Sequence, residues 1–212
     1  VLGAALAQSL SAASESVPSV RMTAVELLPV RATERTVWLF VRVRTNTGLT
    51  GLGEASDAFG YLNTTREQAA QMAAELHAFF ALVQNRSPLD IAWYRQAGVP
   101  RARAGSLVAA TAYSAIEQAM WDLAGKLLNQ PVYNLLGGKV RDRLPVYASI
   151  NRATKSRTPA GFADSAKKAV AEGFRAVKLA PFDGFQRQDF ADPAGAKPVA
   201  DGIACVAAVR EA

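Results

Sequence analysis

The 212-residue sequence predicts an α+β fold in two regions: an antiparallel three-stranded meander with helices, then a strand–helix–strand piece whose strands run parallel. Three observations carry this expectation. Val37, Leu39, Val41 and Val43 alternate with Trp38, Phe40, Arg42 and Arg44, the period of a half-buried strand. Val108, Ala112, Ala115, Ile116, Ala119, Leu123 and Leu127 recur at helical spacing. From Leu144 onward a strand-like run, a capped helical run and a second strand-like run follow one another at the spacing of a βαβ unit.

The first region spans residues 20–138, and its elements follow in order. "VRMTAVELLPV" has strand composition, and "PVRATER" reads as a short connection to the strand that begins at Thr36. "TNTG" is turn chemistry, and "GLTGLGEA" supplies the third strand. Thr64 with Glu67, or Thr65 with Gln68, fits a capping box at the start of a helix. Ala69, Ala73, Leu76, Phe80 and Val83 give that helix its buried face. "SPLD" opens a shorter helix, and the longest one begins near Ser106. Pro131 and Gly137–Gly138 punctuate its end.

The second region spans residues 139–212. "DRLPVYASIN" is expected to hold a strand from Leu144 to Asn151, followed by the polar loop "RATKSR". Thr158 caps a helix with Pro159 at its first position, and Phe162, Ala166, Ala169 and Val170 form its buried face. Gly173 ends it, "FRAVKLA" is the second strand, and a last helix runs from Pro198 to Glu211. Two βα units of about seventy residues cannot close a parallel barrel, which takes about 250. With no stop signal at Ala212, the chain reads as the front part of a longer protein.

Composition narrows the function classes. The net charge is +6 with a pI near 9.7, but the Lys and Arg residues are scattered and no basic run is interleaved with aromatics. A solvated surface is expected, with no nucleic-acid partner. Cys205 is the single cysteine, so no internal disulfide and no Cys-based zinc site can form; its place on a helix face predicts a buried thiol. His77 reads as a helix residue without a catalytic task. Residues 1–19 join an apolar run, an Ala-Leu-Ala triplet and a Ser/Ala-rich stretch. They resemble the tail of a signal peptide without its basic start, which implies export to the periplasm if it is one and a cytoplasmic location otherwise. Nothing later approaches the ~18 apolar residues of a membrane span.

The stretch 112–138, "AYSAIEQAMWDLAGKLLNQPVYNLLGG", supplies the most specific signal. Its Ala115, Glu117, Ala119, Trp121, Asp122, Gly125, Lys126, Pro131, Leu135, Leu136 and Gly137 resemble the signature of the mandelate racemase/muconate lactonizing enzyme group of the enolase superfamily. "GLTGLGEA" resembles that group's third N-terminal strand, and "VYASIN" and "FRAVKLA" its first two barrel strands. Read on physical grounds, these signature residues are scaffold: Asp122 and Lys126 form an i,i+4 pair, and Gly125 permits a close approach. The resemblance implies an α+β capping domain over the mouth of a (β/α)8 TIM barrel, here only begun. It implies removal of the proton next to a carboxylate, with Mg2+ stabilising the enediolate. An acid-sugar dehydratase is the leading expectation. A racemase or cycloisomerase of the same group, and a non-catalytic fragment or assembly module, are the alternatives. A sugar-acid substrate and a homo-oligomer are implied as well. The metal ligands of the group stand on later strands, so none is named here.

The resemblance also selects the residues to watch. The group carries Lys-x-Lys on its second barrel strand; here the pattern is Lys178-Leu179-Ala180. Three readings stay open. Lys178 is itself the base, or it binds the carboxylate while a later strand supplies the base, or the site has lost proton transfer. A structural lysine whose stem snorkels outward is the bland alternative. Ser149 and Asn151, two apart at the end of the first barrel strand, share a face and are expected to bind substrate. Arg152, Lys155 and Arg157 follow and can steer an anion, with solvated loop charges as the plainer reading; Asp183 is a polar contact or an N-cap. In the first region Phe59 and Tyr61, in "ASDAFGYLN", are expected to cover the substrate, and Glu54 to be structural.

Overall fold

The computed structural model describes residues 19–33, 36–59, 64–186 and 195–212. The leader, apart from Ser19, lies outside these, as does Tyr61. The chain divides into two compact units, one ending at Lys139 and one beginning at Val140.

In the first unit, β1 (Met22–Thr33), β2 (Thr36–Thr45) and β3 (Thr50–Glu54) form one antiparallel sheet in the order β1-β2-β3. The alternation in β2 holds: Val37, Leu39, Val41 and Val43 are buried, and Trp38 and Arg44 face outward. β1 is longer than expected. Most of "PVRATER" is strand, with Pro29 opposite Leu39, Arg31 opposite Val37 and Thr33 opposite Thr36. A proline is tolerated there because β1 is an edge strand. Gly48, at φ +83°, makes the turn into β3.

Three helices accompany this sheet: α1 (Arg66–Phe80) and α3 (Leu107–Leu127) pack on its buried face, and α2 (Ile91–Ala104) packs on α3. Thr65 and Gln68, rather than Thr64 and Glu67, make the capping box. The apolar stripe of α1 runs through Met72, Leu76, Phe79 and Phe80, with Ala69 and Ala73 only half-buried and Val83 buried beyond the helix. Ser106 caps α3 through the Ala109 amide, and the expected stripe is buried except for the half-buried Leu127.

α3 lies very close to β3. A Cβ on Gly53 would collide with the Ala115 carbonyl oxygen, and one on Gly51 with that of Ala119. The next helical row, Gln118, Asp122 and Lys126, hydrogen-bonds the outer edge of β3. Leu52 N donates to Asp122 Oδ2 (2.8 Å), Glu54 N to Gln118 Oε1 (3.1 Å), and Lys126 Nζ to the Thr50 carbonyl (2.8 Å). The i,i+4 pair is present at 2.7 Å, but it also serves the strand. Unpaired edge groups are thereby satisfied by side chains.

α3 ends in a Schellman motif. Asn129 sits at φ +51°, and Gln130 N donates to the Gly125 carbonyl (2.8 Å). Gly125 makes room for this backturn, since a Cβ there would stand 2.8 Å from the Gln130 carbonyl oxygen. A short helix, α4 (Val132–Leu135), follows Pro131, and Gly137 and Gly138 end it at positive φ. Across α2 and α3, Arg95 Nε and Tyr113 Oη donate to the Glu117 carboxylate at 2.8 and 2.7 Å. Tyr113 stacks on Tyr94 at 4.8 Å between ring centres.

The second unit holds a parallel pair, β4 (Ala148–Ser149) and β5 (Val177–Lys178), with α5 (Pro159–Ala171) and α6 (Ala196–Glu211). The first of these strands is far shorter than the expected Leu144–Asn151. Leu144 and Val146 are 75% and 67% exposed, and laddering begins only where Ala176 and Val177 stand alongside. Thr158 caps α5 with Pro159 at its first position. Its buried face is Phe162, Ala166 and Ala169; Val170 is 63% exposed, contrary to expectation. Val170 instead lies at the helix end, where a Schellman motif turns the chain: Phe174 N donates to the Ala169 carbonyl (3.0 Å), with Gly173 at φ +93°. α6 begins at Ala196, two residues before Pro198. Among the described residues no helix is long and apolar enough to cross a membrane.

Two variants test this packing. Gly53→Ala is expected to lower stability by about 1–3 kcal/mol or more through overpacking, read as a fall in the thermal midpoint; an unchanged midpoint contradicts the close approach. For Glu117, burial pushes the carboxyl up, but the Arg95 and Tyr113 hydrogen bonds outweigh it and hold it below its ordinary value. A lowered folded value means stabilisation that is present above the unfolded value and lost as pH falls through the folded one. Glu117→Gln is therefore expected to be less stable than the parent in urea at pH 7, with the gap narrowing as the pH is taken below the ordinary carboxylate range. A gap that does not change with pH contradicts the account.

Candidate functional site

The parallel pair in the second unit sorts its side chains by face. Ala148, Ile150, Val177 and Leu179 turn toward α5 and α6, and join a core of Phe162, Ala166, Ala169 and Cys205. Ser149 and Lys178 take the opposite face, where both are exposed. They are register partners, so the hydroxyl and the ammonium stand on neighbouring strands in one row. Alternation extends that face to Asn151 and Ala180. A polar face on a strand pair whose other face is packed by helices is the feature that marks a site.

Beyond Lys178 the ladder changes character. Ile150 N donates to the Lys178 carbonyl at 3.0 Å, the last backbone rung. The Ile150 carbonyl turns instead into the following loop, where it accepts from Thr154 N (3.0 Å) and Thr154 Oγ1 (2.9 Å). The Ala180 amide donates to Asn151 Oδ1 at 2.9 Å. A side chain thus takes the place of a rung.

Arg157 secures this junction. Its Nη1 donates to the Asn151 carbonyl (2.6 Å) and Oδ1 (3.1 Å), and its Nη2 to the Ala180 carbonyl (2.9 Å). Nε and Nη2 grip Asp183 at 2.6 and 2.7 Å, the forked geometry that only a guanidinium provides. The guanidinium also lies 4.7 Å above the Phe162 ring centre. The Asp183 hydrogen bonds hold Arg157 more firmly protonated, and Arg157 holds the Asp183 carboxyl below its usual range. The post-β5 loop has a second anchor, for Phe182 sits where a Cβ on Gly202 of α6 would have to be. Cys205 is a buried thiol, raised by burial, and takes no place on the polar face.

The structure therefore brings Ser149, Asn151 and Lys178 together. Arg152 and Lys155 are exposed on the loop after β4. Arg157 is paired with Asp183, which is a polar contact rather than an N-cap. Phe59 closes a short 3-10 turn, Ser56–Phe59, in the first unit, half-buried against that unit's core. Glu54 serves through its backbone, held by Gln118. His77 is exposed on α1. Among the described residues no group of three or more His, Cys, Asp or Glu side chains is placed to hold a metal ion. The Asp183 carboxylate, just past β5, is already engaged by Arg157.

The family model for the N-terminal domain of mandelate racemase / muconate lactonizing enzymes matches residues 18–137. A D-gluconate dehydratase of Thermoproteus tenax is 39% identical over 149 residues, which is 68% of this chain and 28% of that protein. A D-galactonate dehydratase of Variovorax paradoxus is 30% identical over 177 residues, 82% of this chain and 42% of that protein. The crystal structure of a mandelate racemase/muconate lactonizing enzyme from Sulfitobacter sp. superposes with a TM-score of 0.76 at 25% identity, covering 91% of this chain and 50% of that one. The chain thus spans less than half the length of these two dehydratases.

Proposed function

The chain belongs to the mandelate racemase/muconate lactonizing enzyme family, and on that premise we propose that the intact protein is an acid-sugar dehydratase. The proposed reaction removes the proton next to a carboxylate and expels the hydroxyl from the adjacent carbon. On this reading the second unit is the start of a (β/α)8 barrel, and the face bearing Ser149 and Lys178 looks into it. The observation that carries the reading is the in-register pair Ser149–Lys178 on the face away from the helices.

Lys178 supplies the charge that a carboxylate substrate needs. An ammonium about 4 Å from a carboxylate is worth roughly 4 kcal/mol at a surface-like dielectric, against about 1 kcal/mol for a neutral hydrogen bond from Ser149. Lys178 therefore anchors the carboxylate, and Ser149 orients it. Ala180 stands on the same face and has no proton-accepting side chain, and the base is assigned to a later strand of the intact protein. Mg2+ is proposed for the intact protein, where it supplies positive charge for the developing enolate. Its ligands are assigned to later strands, since among the described residues no group of three or more His, Cys, Asp or Glu is placed to hold it. A homo-oligomer is part of the same proposal.

Full-length protein with Mg2+ is expected to dehydrate one or more aldonic acids, detected as the 2-keto-3-deoxy product. Lys178→Met is expected to lower kcat/KM on the order of a hundredfold or more, and Lys178→Arg to retain measurably more than Lys178→Met. Unchanged turnover in Lys178→Met contradicts a role in the site. Complete inactivity of Lys178→Arg alongside Lys178→Met would make Lys178 the base instead.

A further inference from the structure

We infer that Arg157 is a positioning residue of the strand-end site: by bridging Asn151, Ala180 and Asp183 it sets where Lys178 stands relative to Ser149. The inference rests on the reading of the Ser149–Lys178 face as the substrate site.

The geometry leads there in three steps. β4 and β5 pair through only two residues each, and the Ile150 carbonyl that would make the next rung is committed to Thr154. Asn151 replaces it, with Oδ1 on the Ala180 amide. That substitute depends on amide orientation, because rotating the Asn151 side chain by half a turn would present an NH2 to an N–H. Arg157 Nη1 removes the ambiguity: it donates to the same Oδ1 and to the Asn151 carbonyl, so only the oxygen fits toward Ala180. Its other edge is saturated by the Ala180 carbonyl and by both oxygens of Asp183.

One guanidinium therefore spans the ends of both strands. Lys178 is two residues before Ala180, and Ser149 two before Asn151, so the bridge lies one pleat beyond the pair it registers. Phe162 beneath the guanidinium and Gly202 beneath Phe182 give the bridge a fixed seat on α5 and α6. Arg157 has its hydrogen-bonding edges filled by protein groups and is half-buried, so it acts through Lys178 and not on substrate.

The test uses the full-length protein with Arg157→Met, Arg157→Lys and Asp183→Asn. Limited amine acylation and peptide mapping give the rate of Lys178 modification relative to Lys167, an exposed lysine on α5. The expected result in folded Arg157→Met is a change in that ratio of about threefold or more, as the surroundings of the ammonium shift. A fall in kcat/KM on the order of tenfold to a hundredfold is expected alongside it. Arg157→Lys keeps the charge but not the fork, so it is expected to rescue only in part. Asp183→Asn, the mildest change, is expected to move the ratio in the same direction, and it decides the question if Arg157→Met does not fold. An unchanged Lys178 ratio in the folded variants overturns the inference, even where the thermal midpoint drops. A ratio shifted in the variants, when the parent protein itself turns over no acid sugar, supports the positioning role and counts against the dehydratase reading alone.

Discussion

The close approach of α3 to β3 is the constraint on which the first unit depends. Gly51 and Gly53 have no side chains because the Ala119 and Ala115 carbonyls occupy that space. At that distance a second row of the helix, Gln118, Asp122 and Lys126, reaches the exposed edge of the strand and hydrogen-bonds it. One helix thus seals a face and an edge together. It does so without adding a strand, and an open edge would otherwise invite pairing with another chain. The glycines, the small alanines and the polar triad are a single device, and α1 and α2 are laid along the helix that it fixes.

Much of this unit was legible in the sequence, for physical reasons that can be named. The alternation in β2 survives because the sheet has one packed face, and Ser106 marks the start of α3 because an orphan amide needs an acceptor. The Asp122–Lys126 pair was legible as a helical neighbour contact; its larger task was not, because the groups it meets are about seventy residues away in sequence. "PVRATER" misled through its proline and charges, which suit an edge strand as well as a loop. Val170 misled because periodicity alone does not reveal where a helix face ends and a Schellman turn begins.

The site was legible in part. The two-residue spacing placed Ser149 with Asn151, and Lys178 with Ala180, each on one face of its own strand; the structure pairs Ser149 with Lys178 across the two strands. Asn151 was singled out for substrate; the rung that its oxygen supplies was not legible. Arg157 was passed over among three loop cations. No local spacing distinguishes it from Arg152 or Lys155, since its partners lie 6, 23 and 26 residues away. Residues that organise a strand end through the backbone leave little trace in a single sequence, while residues that repeat along an element leave a strong one.

The functional account unites a shown family with a proposed chemistry. Its central claim is that the Ser149–Lys178 face holds a carboxylate while the neighbouring carbon loses a proton and the next carbon loses its hydroxyl. The enol so formed takes a proton from solvent at the carbon that lost the hydroxyl. Turnover of an aldonic acid by the full-length protein in D2O tests this most directly. The account predicts a 2-keto-3-deoxy product with one deuterium on that carbon. Recovery of the acid with deuterium next to its carboxylate and no loss of water would contradict dehydration.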